Sequence, residues 1–164
     1  MPNFVMMVGL PYSGKSYVAN SLGLFKTYAK ISSDDLVHMK AKELGLSYNQ
    51  CFNDVVGWAQ DKAERDMLYL LSIGKNVVLD QTNLTRSSRK RKLELIPQGY
   101  KSFCIVVPSP APEIIEKRMK ERSSHSVPMS VMGTMLMLYE EPSLDEGFDV
   151  LYRAGFDDIV FTRD

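Results

Sequence analysis

The decapeptide MVGLPYSGKS, residues 7–16, carries the pattern Gly9-x4-Gly14-Lys15-Ser16. Residues 4–8 lead into it as a continuous apolar run, the mark of a buried strand. Residues 16–22 leave it with the spacing of a helix. A strand that turns through glycines into a helix aims backbone N–H groups and a helix N-terminus at one point. That geometry holds a polyphosphate. Both glycines allow a turn that side chains would block. Lys15 is placed to reach the β and γ phosphates of ATP, and the Ser16 hydroxyl to ligate Mg²⁺. Pro11, Tyr12 and Ser13 complete the nucleotide-binding loop.

Outward from this loop, apolar runs alternate with amphipathic stretches. Strands are expected at residues 28–31, 77–79, 103–107 and 158–161. Helices are expected from near Asp34 and over residues 48–71, 87–95, 112–122 and 130–139. This alternation predicts an α/β fold, a parallel sheet with helices on both faces, in a single domain over residues 1–164. Ligands of such sheets bind outside the carboxyl ends of the strands. Residues 9–16, 32–35, 80–83 and 108–110 occupy those ends.

The composition narrows the function further. Lys+Arg and Asp+Glu number 20 each, which argues against a protein that coats long nucleic acid but leaves a strand-end grip open. Cys51 and Cys104 fit no metal spacing and read as buried thiols. Met1-Pro2-Asn3 lacks a basic leader, and no stretch reaches the ~20 apolar residues of a membrane span. The expected location is a reducing cytoplasm. At 164 residues the chain has little room for motor machinery, and no GTPase-like switch segment is evident. A small kinase fits best.

Phosphoryl transfer to an alcohol needs a group to accept the hydroxyl proton. ISSDDL (31–36) brings Asp34 and Asp35 to the sheet edge beside the loop, although the same residues also read as an ordinary helix N-cap. Asp80, after the third strand, stands where a second metal-site carboxylate could sit. EKRMKERSSHSVP (116–128) sets Arg118 and Arg122 four apart on a helix, where a guanidinium could clamp the γ-phosphoryl. The stretch from Arg122 to Pro128 reads as a short arginine lid, with His125 on its surface. Arg86, Arg89, Lys90, Arg91 and Lys92 form a basic cluster that either grips a strand or solvates a helix. Tyr12 and Tyr48 are candidates to stack a terminal base or to pack. Met129, Met132, Met135 and Met137 read as adaptable core or lid packing.

GLPYSGKS, ISSDDL, LDQTNLTRSSRKR and KRMKERSSHSVPMSV stand in that order, and EEPSLDEGFD closes the pattern. Together they resemble the kinase domain of the polynucleotide 5′-hydroxyl kinases of T-even phages and bacterial RNA repair, from Val5 to about Phe161. The resemblance implies transfer of the γ-phosphate of ATP to a 5′-OH end of DNA or RNA in nucleic-acid repair. It implies Asp34 as general base with Asp35 as the acid beside it. It implies Arg122 as the γ-phosphate-activating arginine, Arg118 as a nucleotide contact and Thr82-Asn83 as the Thr-Asn turn. Two positions depart. Val37 stands where the phage kinase has an arginine that touches the substrate phosphate. Gln81 stands where it has an acid, with Asp80 one residue earlier. A small-molecule kinase for a sugar or nucleoside would use the same four elements. A toxin-like or regulatory nucleotide-binding module would need neither Asp34 nor Arg122.

Overall fold

A computed structural model describes residues 1–122, 127–155 and 161–163. Five parallel strands form the sheet: β1 (Asn3–Val8), β2 (Ala29–Ile31), β3 (Val77–Asp80), β4 (Lys101–Val106) and β5 (Val150–Ala154). A sixth, β6 (Phe161–Arg163), pairs antiparallel with β5. The order is β2-β3-β1-β4-β5-β6. The helices are α1 (Lys15–Ser21), α2 (Leu24–Thr27), α3 (Ser33–Leu44), α4 (Tyr48–Ser72), α5 (Arg86–Leu93), α6 (Pro112–Glu121) and α7 (Met129–Leu138).

The period-2 alternation of β1 divides the core between two layers. Phe4, Met6 and Val8 face Ala63, Met67 and Leu71 of α4, and Leu93 at the end of α5 packs on the same cluster. Val5 and Met7 face Val18 and Ala19 of α1 and Leu24 and Phe25 of α2. Both faces of the central strands are therefore covered, which is why they read as unbroken apolar runs.

From β1 the chain travels to β2 and β3 on one side, and from β3 it crosses to β4 on the other. The carboxyl ends of β1 and β3 thus flank a topological switch point, where open α/β sheets bind ligands. Register makes the placement specific, because Met7 lies opposite Asp80. Gly9 N–H donates to the Thr82 carbonyl at 3.1 Å, and Asn83 Nδ2 donates to the Met7 carbonyl at 2.7 Å.

The expected strands and helices are present, with ends shifted by a residue or two. Two pieces differ. β5 was not anticipated, and the last strand runs antiparallel at the sheet edge. Residues 158–160 of that expected strand lie outside the described residues. No described helix is long and apolar enough to cross a membrane. Cys51 and Cys104 are free and buried, and burial pushes the Cys104 thiol up to about 12.

Candidate active site

The loop between β1 and α1 has a shape set by contacts that tolerate little change. A Cβ on Gly9 would come within 2.7 Å of the Val107 carbonyl oxygen and 2.8 Å of Ser13 Oγ. Gly14 caps α1 at φ 95°, in the left-handed region glycine favours. Tyr12 shares that region at φ 65°, an uncommon conformation for a bulky residue. Ser13 Oγ is buried without a hydrogen-bond partner, and buried hydroxyls are normally satisfied. Lys15 Nζ donates to the Leu10 carbonyl at 3.0 Å. Burial pushes its ammonium down to about 8, against the opposing pull of Asp80 and Asp34, while Arg122 adds to the fall. An orphaned hydroxyl and a desolvated ammonium in a backbone cradle fit an anionic polyphosphate.

Beside the cradle, Ser16 Oγ donates to Asp80 Oδ2 at 3.1 Å. One hydroxyl and one carboxylate are the hard oxygen donors that suit Mg²⁺, which keeps several waters of its own. Among the described residues no cluster of three or more His, Cys, Asp or Glu could hold a metal, so the fit rests on this pair. Lys30 stands close by, 3.6 Å from the same Asp80 oxygen and 2.9 Å from Asp35 Oδ2. A lysine on β2 that ties these two acids together went unremarked in the sequence. Its signal was a charge one residue from the end of a short, half-buried strand.

The two readings of ISSDDL separate here. Ser32 is the N-cap of α3, and its side chain accepts the Asp35 N–H at 3.3 Å. Asp34 is therefore not needed as the cap. Its Oδ1 instead accepts from the Tyr48 hydroxyl at 2.7 Å. Burial, then the bond to Asp34, raise the Tyr48 phenol above its ordinary range, so it stays a donor. Its ring packs against His38 and Phe52. Tyr48 thus holds the candidate base rather than stacking a nucleic-acid base. Asp35 is engaged with Lys30, so it is not a free acid beside Asp34.

The lid helices close over the loop through Tyr12. Its ring is buried with Ile115 of α6 and Met132 of α7. Its hydroxyl accepts the Val127 N–H at 2.7 Å, and its carbonyl accepts from Arg118 Nη1 at 2.5 Å. Arg122 ends α6 with its guanidinium 5.7 Å from the Tyr12 ring centroid. Arg118 and Arg122 therefore both meet the nucleotide loop. Tyr12 is enclosed by the lid and is not a stacking platform. Met132 packs as expected, whereas Met129 and Met137 are exposed. Residues 123–126, with His125 and the middle of the expected lid, lie outside the described residues.

The basic cluster does not form one patch. Arg89 is 0% exposed. Its Nε donates to Glu146 Oε1 at 2.8 Å, and its Nη1 donates to the carbonyls of Asn83 and Leu84. It braces the turn after β3 and cannot reach a strand. Arg86 points to Asp145 and Ser143 and is not part of the cleft wall. Asn83 is buried, its amide bound to the Met7 and Gln81 carbonyls, so it too supports the turn. Thr82, Arg91 and Lys92 do line the cleft, together with Pro11, Gly14 and Asp34. The cleft holds about 1060 Å³ and runs from the loop past Asp34 between α4 and α5.

A central parallel sheet, a Gly-x4-Gly-Lys-Ser cradle and a lid bearing two arginines define a P-loop phosphotransferase fold. A family model for the AAA domain AAA_33 matches residues 4–142, and the chain belongs to that family. No curated protein matches it. Among solved structures, it is similar to a gluconokinase from Sinorhizobium meliloti 1021 at 20% identity and TM-score 0.58, covering 96% of this chain and 84% of that one. It is similar to a chain of the PezAT chromosomal toxin-antitoxin system of Streptococcus pneumoniae at 14% identity and TM-score 0.72, covering 99% and 70%. It is also similar to a chain of the Pnkp1/Rnl/Hen1 RNA repair complex at 22% identity and TM-score 0.63. That match covers 84% of this chain and 43% of the other. At these identities the likeness is one of fold.

Proposed function

We propose that the protein transfers the γ-phosphate of ATP to the 5′-hydroxyl end of DNA or RNA. The observation that carries this reading is the cleft. At about 1060 Å³ it sits at the upper end of the ~300–1,000 Å³ of small-molecule sites, and it continues beyond the phosphate loop past the Asp34 carboxylate, which accepts from Tyr48. Asp34, fixed by Tyr48, would orient the acceptor hydroxyl and take its proton. Lys15 and Arg122 would stabilise charge on the transferred phosphoryl oxygens, and closure of α6 and α7 would exclude water. Ser16 and Asp80 would hold Mg²⁺, which when bound neutralises charge on the phosphates.

A second reading, a sugar or nucleoside kinase, is favoured by two observations. Val37 is buried in the α3–α4 core, so α3 offers no cation at that position. Arg89 is buried as well. A toxin-like or regulatory nucleotide-binding module is disfavoured by the Tyr48–Asp34 bond, since a binder needs no positioned base. The test is transfer of label from γ-labelled ATP to single strands ending in 5′-OH. Label is expected on the strand, lost in Lys15→Ala and reduced at least about 100-fold in Asp34→Ala. Intact ATP binding with no labelled strand would overturn the polynucleotide reading and turn the search to sugars and nucleosides.

A further inference from the structure

Five lysine and arginine side chains line the cleft among the described residues: Lys15, Lys30, Arg91, Lys92 and Arg122. Four are otherwise engaged. Lys15 belongs to the phosphate loop, and Lys30 is paired with Asp35 and Asp80. Arg91 is paired with Glu64, and Arg122 lies against Tyr12. Lys92, in the last turn of α5, is different. Its ammonium donates to Gln81 Oε1 at 3.0 Å and Asn83 Oδ1 at 2.5 Å, both neutral acceptors. Among the described residues no carboxylate forms an ion pair with it.

The orientation of this lysine is fixed. Asn83 Nδ2 is committed to the Met7 and Gln81 carbonyls, which leaves Oδ1 to face Lys92. Two of the three ammonium donors are used and one remains. Burial pushes the ammonium down to about 8, and the charge of Arg91 adds to the fall, against the opposing pull of Glu64. A half-buried ammonium whose hydrogen-bond partners are both neutral gains when an anion takes its remaining donor. An acid at position 81 would supply that anion from within the chain. Glutamine does not. Gln81 directly follows Asp80, so Lys92 sits beside the reaction centre, on the α5 side of the cleft.

We propose that Lys92 forms an anion subsite for the acceptor, so that the alcohol phosphorylated here also bears a phosphate or carboxylate group. The inference rests on the kinase reading of the cleft. The oxyanion has two possible sources, the phosphodiester of a nucleic acid end or the carboxylate of a sugar acid.

The experiment measures transfer from ATP·Mg²⁺ to two matched pairs: a nucleoside 3′-phosphate against its nucleoside, and an aldonic acid against its aldose. The expected result is a preference of about tenfold or more in kcat/KM for the charged member of one pair, as for a hydrogen bond to a charged group. In Lys92→Met that ratio falls to about threefold or less, chiefly through the acceptor KM, and Lys92→Arg restores most of it. Lys92→Gln repeats the test if Lys92→Met melts below the assay temperature. A Lys92-dependent preference in the nucleoside pair supports both the subsite and the nucleic-acid acceptor. The same dependence confined to the sugar pair keeps the subsite and overturns the nucleic-acid acceptor. A wild-type ratio near one, a ratio untouched in the neutral variants, or transfer to the uncharged acceptors alone overturns the subsite, whereas ATP·Mg²⁺ binding with no transfer to any of the four overturns the kinase reading on which it rests.

Discussion

At the scale of single residues, the phosphate loop holds a buried cation in Lys15. The drop of its ammonium from 10.5 to about 8 corresponds to about 3 kcal/mol. The folded pKa lies below the unfolded one, so between these values the unfolded chain binds more protons. The folded protein is therefore disfavoured in full below pH 8, and the penalty fades as pH rises from 8 toward 10.5. Lys15→Met is accordingly expected to raise the melting temperature of the ligand-free protein at pH 7 while abolishing ATP binding; a lower melting temperature would contradict this account. Tyr48→Phe acts at the other end of the transfer. Without its hydroxyl, Asp34 loses one orienting bond, and kcat should fall about tenfold with the KM for ATP kept within about twofold. A loss of ATP affinity instead would place Tyr48 in the nucleotide site. The loop was legible because its glycines, lysine and serine are contiguous in the chain. The Tyr48–Asp34 bond was not, since it joins two helices across a turn.

At the scale of elements, α5 shows why a basic run could not be read from its sequence. RSSRKRKL offers one apolar side chain, Leu93, so no periodicity marks an inner face. The inner residue is Arg89. It is acceptable there only because Glu146, 57 positions away, arrives in a 3-10 turn over Leu144–Glu146 and two backbone carbonyls join it. Breaking a buried pair leaves an uncompensated charge and lowers stability by about 3–5 kcal/mol. Arg89→Met and Glu146→Gln should each show that loss in urea unfolding, and the double variant should lose less than their sum. If Arg89 gripped a strand, Arg89→Met would instead raise the acceptor KM with unfolding unchanged. Helix starts were easier to read. Ser32, Ser47 and Thr85 each accept a backbone N–H from three residues on, a local pattern with a local cause.

At the scale of the molecule, the alternation of apolar and amphipathic stretches was enough for the parallel sheet, and the sheet was enough to bring 9–16, 32–35 and 80–83 together. The far edge was not readable. Val150–Ala154 follows an acidic, glycine-bearing turn and is only five residues long, and nothing local sets the direction of β6. Nor could the sequence reveal that one residue couples the loop to the lid. Tyr12 holds a left-handed conformation within the loop, accepts from Arg118 of α6, and accepts from Val127 just before α7. The shape of the phosphate cradle and the position of both lid helices are thus parts of one packed cluster. Tyr12→Phe keeps the ring and removes the acceptor for Val127. Wild-type protein at 100 times its Kd for ATP·Mg²⁺ gains about 2.7 kcal/mol, roughly 5–10 °C for a domain of this size. Tyr12→Phe should melt within about 2 °C of wild type without nucleotide, yet bind ATP·Mg²⁺ about three- to tenfold more weakly. Its thermal shift at the same ATP concentration should be smaller by about 1–5 °C. An unchanged thermal shift would mean that the lid closes independently of the loop, and the coupling through Tyr12 would have to be abandoned.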